Sequence, residues 1–207
     1  MTVERVRQAL EYFEPGVVRL NPPARPREVT RSEVVLGVSF PPAFRQALSE
    51  FNGGYVVDRP VFGVPPVHSA LDLVRGTRQA RHLWGALGWS EAYVQVGSDG
   101  CGNLFVLLLD RQDEHGESPV GFFDTGCMEV TEVVASTYLH FLWFLAQDAK
   151  WEYAPDGRPI PREAVVWTTE TVVVRPTALS PWRFNEAWMF AHDPVLARWR
   201  GSVKSLV

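Results

Sequence analysis

Lysine and cysteine are scarce in this sequence, and long apolar runs are missing. Only two of the 20 basic residues are lysines, Lys150 and Lys204, which reads as a GC-rich coding bias rather than a binding feature. Two cysteines, Cys101 and Cys127, among 207 residues are too few for the disulfide framework of a secreted scaffold, so both are expected to be free thiols. No window reaches about 18 apolar residues, as a membrane-spanning helix would need. The opening "MTVERVRQAL" sets Glu4 and two arginines where an export signal needs an uninterrupted apolar core. The expected location is therefore the cytoplasm. A basic surplus is lacking too, since the net charge is -4, and this argues against a general nucleic-acid binder. Internal repeats and low-complexity segments are also absent.

Several chemistries fall with what is missing around "VGSDGCGNLFVLLLD", Val96 to Asp110. A phosphate cradle needs glycines between a strand and a helix, whereas here a second strand follows and no Lys-Ser/Thr pair closes the loop. Asp99 and Asn103 alone do not supply the alternating oxygen ligands of a calcium loop. The histidines (His68, His82, His115, His140, His192) and the two cysteines are too scattered for a structural zinc site. Neither a metal nor a cofactor is expected. A nucleophilic role for Cys101 has no supporting spacing, and the adjacent Asp99 would disfavour its thiolate. An enzyme built on Cys101 is the weakest functional class, although the reactivity of that thiol stays open.

What is present is the composition of a folded domain: 46% hydrophobic, 12% aromatic, with eight tryptophans. Val3, Val6, Leu10 and Phe13 recur at helical spacing, so residues 2–13 read as an amphipathic helix stopped by Pro15 and Gly16. The Pro-rich "LNPPARPRE" then reads as an extended connector, which makes residues 1–25 an addition to the main domain. Ser39 or the following prolines open a helix with Phe44, Ala47, Leu48 and Phe51 inward, closed by Asn52 and Gly53. Short strands follow in "YVVDRPVFGVPPV", and Ser69 with Asp72 starts a helix running to about Leu83. "AYVQV", "LFVLLLD" and "PVGFFD" read as three strands of a meander, and "STYLHFLWFLAQDA" as a buried helix. The breaker-rich "YAPDGRPIP" marks a boundary. Beyond it lies an annex, residues 151–207, with a β-rich run and a helix started by Ser180 and Pro181 that contains Phe184, Trp188 and Ala191. It is too short to be an independent domain.

Two features point to a protein partner. Between Asp110 and Glu132 stand seven acids (Asp110, Asp113, Glu114, Glu117, Asp124, Glu129, Glu132) against one base, Arg111. That run is either a solvated edge or a patch that attracts a basic surface. Tryptophans Trp182, Trp188 and Trp199 gather in the annex, where they serve either as core or as an interface anchor.

The order of short motifs resembles the SUKH superfamily, which contains the fungal Smi/Knr-type cell-wall regulators and many bacterial toxin-immunity proteins. An acid and "LG" before a proline-led helix are matched by Glu33, Leu36, Gly37, Phe40 and Pro41. The NGG signature is matched by Asn52, Gly53 and Gly54. The glycine-rich turn with an aspartate is matched by Gly97, Asp99, Gly100, Gly102 and Asn103. A following strand is similar at Pro119, Val120, Phe122 and Asp124, and a helix start at Val134, Ala135, Ser136, Tyr138 and Leu142. The likeness covers residues 28–148, within a main domain read as 26–150. It implies an α+β fold with a central bent, mainly antiparallel sheet surrounded by helices. It also implies protein binding rather than catalysis, with the motif residues architectural and no catalytic or metal residue to carry over. The leading functional expectation is a toxin-neutralising immunity-type protein whose acidic stretch meets a basic toxin domain. The alternative is an intracellular scaffold or regulator of the Smi/Knr type. No direct nucleic-acid or membrane partner is expected, and the oligomeric state is open.

Overall fold

Seven short strands succeed one another in a single antiparallel sheet whose spatial order is the chain order. They are β1 (Arg19–Leu20), β2 (Gly54–Val56), β3 (Arg59–Val61), β4 (Tyr93–Ser98), β5 (Leu104–Leu108), β6 (Val120–Asp124) and β7 (Glu129–Ala135). The helices are α1 (Val3–Leu10), α2 (Pro26–Leu36), α3 (Pro42–Leu48), α4 (Leu73–Trp84), α5 (Tyr138–Glu152) and α6 (Glu186–His192). A separate pair of strands, β8 (Val166–Trp167) and β9 (Val172–Val173), falls in the β-rich run of the annex. The structure is a computed structural model that describes residues 1–160, 166–167, 172–173, 182–183 and 185–199. The fold is α+β.

Both faces of the sheet are covered. Phe122 and Phe123 are consecutive in β6 and so point to opposite faces. On one side Phe122 lies 5.6 Å from Phe105 between ring centroids, and Phe105 lies 4.9 Å from Phe141 of α5. On the other, Phe123 meets Trp84 at 6.1 Å and Trp89 at 5.0 Å, from α4 and the turn after it. The interior strand β5 is buried at every position, which is why "LFVLL" is apolar without alternation. The pairing shifts register between Gln95 and Gly97 and twice along β6, and such bulges bend a sheet.

Several elements differ from the sequence expectation. α1 ends at Leu10 rather than at residue 13, although Phe13 is still buried. It lies against α5, with the Arg5 guanidinium 5.7 Å from the Trp143 ring. The connector is extended only in part: Arg19 and Leu20 form an edge strand, and α2 begins directly at Pro26. Pro26 opens α2 without sacrificing a hydrogen bond, and Glu28 accepts the Arg25 backbone N–H at 2.8 Å. Of the two starts the sequence offers for α3, Ser39 or the prolines, it is Pro41 and Pro42 that open it, and it buries Phe44, Ala47 and Leu48. α6 starts after Asn185, whose side chain accepts the Trp188 N–H at 3.0 Å. Ser180, Pro181 and Phe184 lie outside the described residues.

Candidate functional site

The motif residues bond to segments of the chain around them. Asn52, 4% exposed, donates from Nδ2 to the Val64 carbonyl at 2.8 Å and accepts the Val64 N–H at Oδ1 at 2.7 Å. Its amide thus replaces one rung of a strand ladder. Asn21 donates its backbone N–H to the Gly53 carbonyl at 2.9 Å and its Nδ2 to the Asn52 carbonyl at 3.0 Å. A Cβ on Gly53 would come within 2.6 Å of the Gly63 nitrogen, and one on Gly54 would strike the Arg19 backbone. The Asn-Gly-Gly run therefore seats β1, β2 and the segment after β3 against one another. Glu33 accepts the Phe40 N–H at 2.7 Å and pairs with Arg45 at 2.6 Å, locking α2 to α3 past the left-handed Gly37. Leu36 is buried behind this joint.

The glycine-rich turn is held by Asp99. Its Oδ1 accepts the N–H groups of Cys101 (2.8 Å) and Asn103 (3.0 Å), and its Oδ2 accepts from Asn103 Nδ2 at 2.8 Å. Asn103 Oδ1 in turn accepts the Thr125 N–H at 3.1 Å, tying this turn to the one after β6. Gly100 and Gly102 have φ of 78° and 108°, which side chains disfavour. Both cysteines are exposed thiols. Among the described residues no group of three His, Cys, Asp or Glu comes together as a metal site would require.

The acidic run is divided rather than gathered. Asp110, Asp113, Glu114 and Glu117 sit on the connection from β5 to β6. Asp124 closes the far end of β6, about 17 Å away at the usual rise of a strand. There Asp124 faces Glu129 across the β6–β7 pair and accepts the Gly126 N–H at 2.7 Å. Within the connection, Asp113 Oδ1 accepts the N–H groups of His115 (2.8 Å) and Glu117 (2.9 Å). Glu117 Oε1 accepts the Ala43 N–H at 2.9 Å, an otherwise unpaired amide in the first turn of α3. Burial raises the Glu117 pKa despite that bond, and its Oε2 is buried without a hydrogen-bond partner among the described residues. Asp110 and Glu114 point into solvent.

The annex docks through two of the tryptophans singled out in the sequence and through Arg183, which the sequence did not mark. Trp182 is 3% exposed; its Nε1–H donates to the Val134 carbonyl at 3.2 Å and its ring stacks on Phe105 at 5.5 Å. Its surface is thus used within the chain. Arg183 lies over the Phe122 ring at 3.7 Å and pairs with Glu132. Trp188, half-buried, stacks on Trp143 of α5 at 5.8 Å.

Asp193, 0% exposed, accepts the Ser136 N–H at 2.7 Å and the Ser136 hydroxyl at 2.6 Å. His140 Nδ1 lies 3.4 Å from Ser136 Oγ, 3.0 Å from Thr137 Oγ1 and 3.8 Å from Asp193 Oδ2. Burial lowers the His140 pKa. These are the residue types of a hydrolytic triad with different wiring. The carboxylate grips the buried serine directly, whereas in a triad the imidazole stands between them. Here an anion on the annex sits at the N-terminus of α5, where unpaired amides and the helix dipole favour it.

A model of the SMI1 / KNR4 family (SUKH-1) matches residues 23–142. That span runs from just before α2 into the start of α5 and includes the Glu33, Asn-Gly-Gly and Asp99 features. α1 and the annex lie outside it. No curated protein matches the chain at a significant level.

Proposed function

Because the chain belongs to the SMI1 / KNR4 family (SUKH-1), we propose that it works by binding another protein rather than by catalysis, most concretely as an immunity-type protein that neutralises a toxin. The β5–β6 connection carries this reading: Asp110 and Glu114 are exposed on a loop that Asp113 and Glu117 tie down from within. Charge held on a pre-ordered loop costs little entropy to engage and steers a basic surface toward it. The proposed contact surface is the run Asp110, Asp113, Glu114 and Glu117, with the first and third as the exposed contacts.

The test is co-purification with the toxin domain encoded beside its gene, using Asp110→Lys/Glu114→Lys. These positions spare the bonds that shape the loop. Association should slow by about tenfold at low salt and lose most of its salt dependence. A neighbouring toxin that does not bind, or that binds the charge-reversed protein equally well, would sink the idea. A scaffold or regulator of the Smi/Knr type is the second reading, favoured by an annex packed beyond the matched span. It expects partner binding to be lost in Trp188→Ala and to survive the charge reversal.

A further inference from the structure

No acidic residue occurs along α4, "LVRGTRQARHLW". Arg75, Arg78 and His82 are exposed, and neither arginine forms an ion pair among the described residues. Arg81 differs, since it turns inward to pair with Glu91 at 3.1 Å and donate to the Leu36 carbonyl at 2.7 Å. Like charges spaced three and four apart repel on a helix, and a cation near the helix start opposes the dipole. The arrangement therefore works against the helix that carries it: the Asp72 carboxylate at the N-cap offsets Arg75 in part, and no acid among the described residues pairs with Arg78.

Beside the arginines, the α4 face of the sheet opens into a cleft of about 450 Å³. Phe62, Ala80, Trp84 and Leu104 supply its apolar surface, and Arg75, Gln95 and the Asp72 carboxylate, which is engaged in capping α4, its polar rim. A second, shallower hollow of about 490 Å³ shares Arg75 and adds Arg78. Leu83, 53% exposed, stands at the edge of the first. Unpaired guanidinium groups take carboxylates or phosphates, and the apolar hollow beside them favours a protein segment, with carboxylates for the forks and an apolar side chain for the hollow.

We infer that this face of α4 is a docking surface for an acidic protein segment, with carboxylates on Arg75 and Arg78 and an apolar side chain over Trp84. It uses the opposite charge and a different element from the β5–β6 connection, so it stands or falls separately from the toxin reading.

The probe is a fluorescently labelled synthetic peptide alternating aspartate and glutamate with leucine and phenylalanine, beside a counterpart with lysine in place of each acid. The acidic peptide should bind the whole protein more weakly as salt rises. Binding should fall about tenfold in Arg75→Glu/Arg78→Glu and measurably in Leu83→Ser, and the lysine peptide should not bind. These positions are exposed, and thermal melts no lower than the wild type's would exclude misfolding. Equal affinity of the charge-reversed protein, or equal binding of both peptides, would overturn the inference. So would sedimentation showing that the wild type self-associates through this face while the acidic peptide does not bind, because a second copy of the chain would then be the occupant.

Discussion

Replacing Asp193 by alanine should loosen the annex and cost the protein about 2–4 kcal/mol. The carboxylate is fully buried and accepts both the Ser136 N–H and the Ser136 hydroxyl. After truncation the hydroxyl can turn toward His140 Nδ1, 3.4 Å away, but the amide has no other acceptor among the described residues. A buried orphan donor costs about 1–3 kcal/mol, and the lost anion at a helix N-terminus up to about 2 more. Asn at this position keeps an oxygen for the Ser136 N–H, and its Nδ2 can donate to the Ser136 hydroxyl once that turns toward His140, so Asp193→Asn should recover about 1–2 kcal/mol of the loss. Urea unfolding followed by tryptophan fluorescence reads this directly, because Trp182 and Trp188 sit at the joint. With an m-value of about 2 kcal/mol/M, the midpoint should drop by about 1–2 M. A wild-type midpoint in Asp193→Ala, or an Asp193→Asn variant no more stable than the alanine one, would refute the assignment of this carboxylate as the annex's anchor.

Asn52→Asp swaps the Nδ2 donor for an oxygen facing the Val64 carbonyl in a buried site, so it should lose at least about 3 kcal/mol near neutral pH. Part of that loss should return in urea melts at acidic pH, where the protonated acid can donate. Gly102→Val places a branched side chain at φ of 108° and should cost about 1–3 kcal/mol. Cys101→Ala, at an exposed position, should stay within about 0.5, and thermal melts in the reverse order would contradict this account of the turn. His140 is held below its ordinary 6.5 by burial, so the unfolded chain takes up its proton first as pH falls. Stability should therefore drop as pH falls below about 6.5, toward the folded pKa. Stability measured against pH for His140→Gln should lack that component of the slope.

Much of the fold could be read from local pattern because local chemistry dictates it. The meander from β4 to β6 follows from apolar runs separated by turn residues, and α4 from the Asp72 side chain that accepts the Arg75 N–H at 3.0 Å. α2 escaped notice because its inward face includes Ser32 and Glu33 beside Val29 and Leu36. Those polar residues break the apolar period and are satisfied by partners such as Phe40 and Arg45. β7 was hidden similarly, since the residues of "EVTEVVA" become fully buried only in its last three positions. The acidic run was legible as composition, but its division between the two ends of β6 was not.

By itself the sequence determined the α+β class, the turn at Asp99, the proline-led helix and the family, because each rests on contacts a few residues apart or on the order of short motifs. The tertiary structure alone decided that Trp182 is a core residue, that Asp193 reaches 57 residues back to Ser136, and that Glu117 serves α3 while Asp110 and Glu114 face outward. The physical reason is that burial and pairing over such separations are properties of the assembled layers, and a linear pattern carries no record of which side chain will meet which.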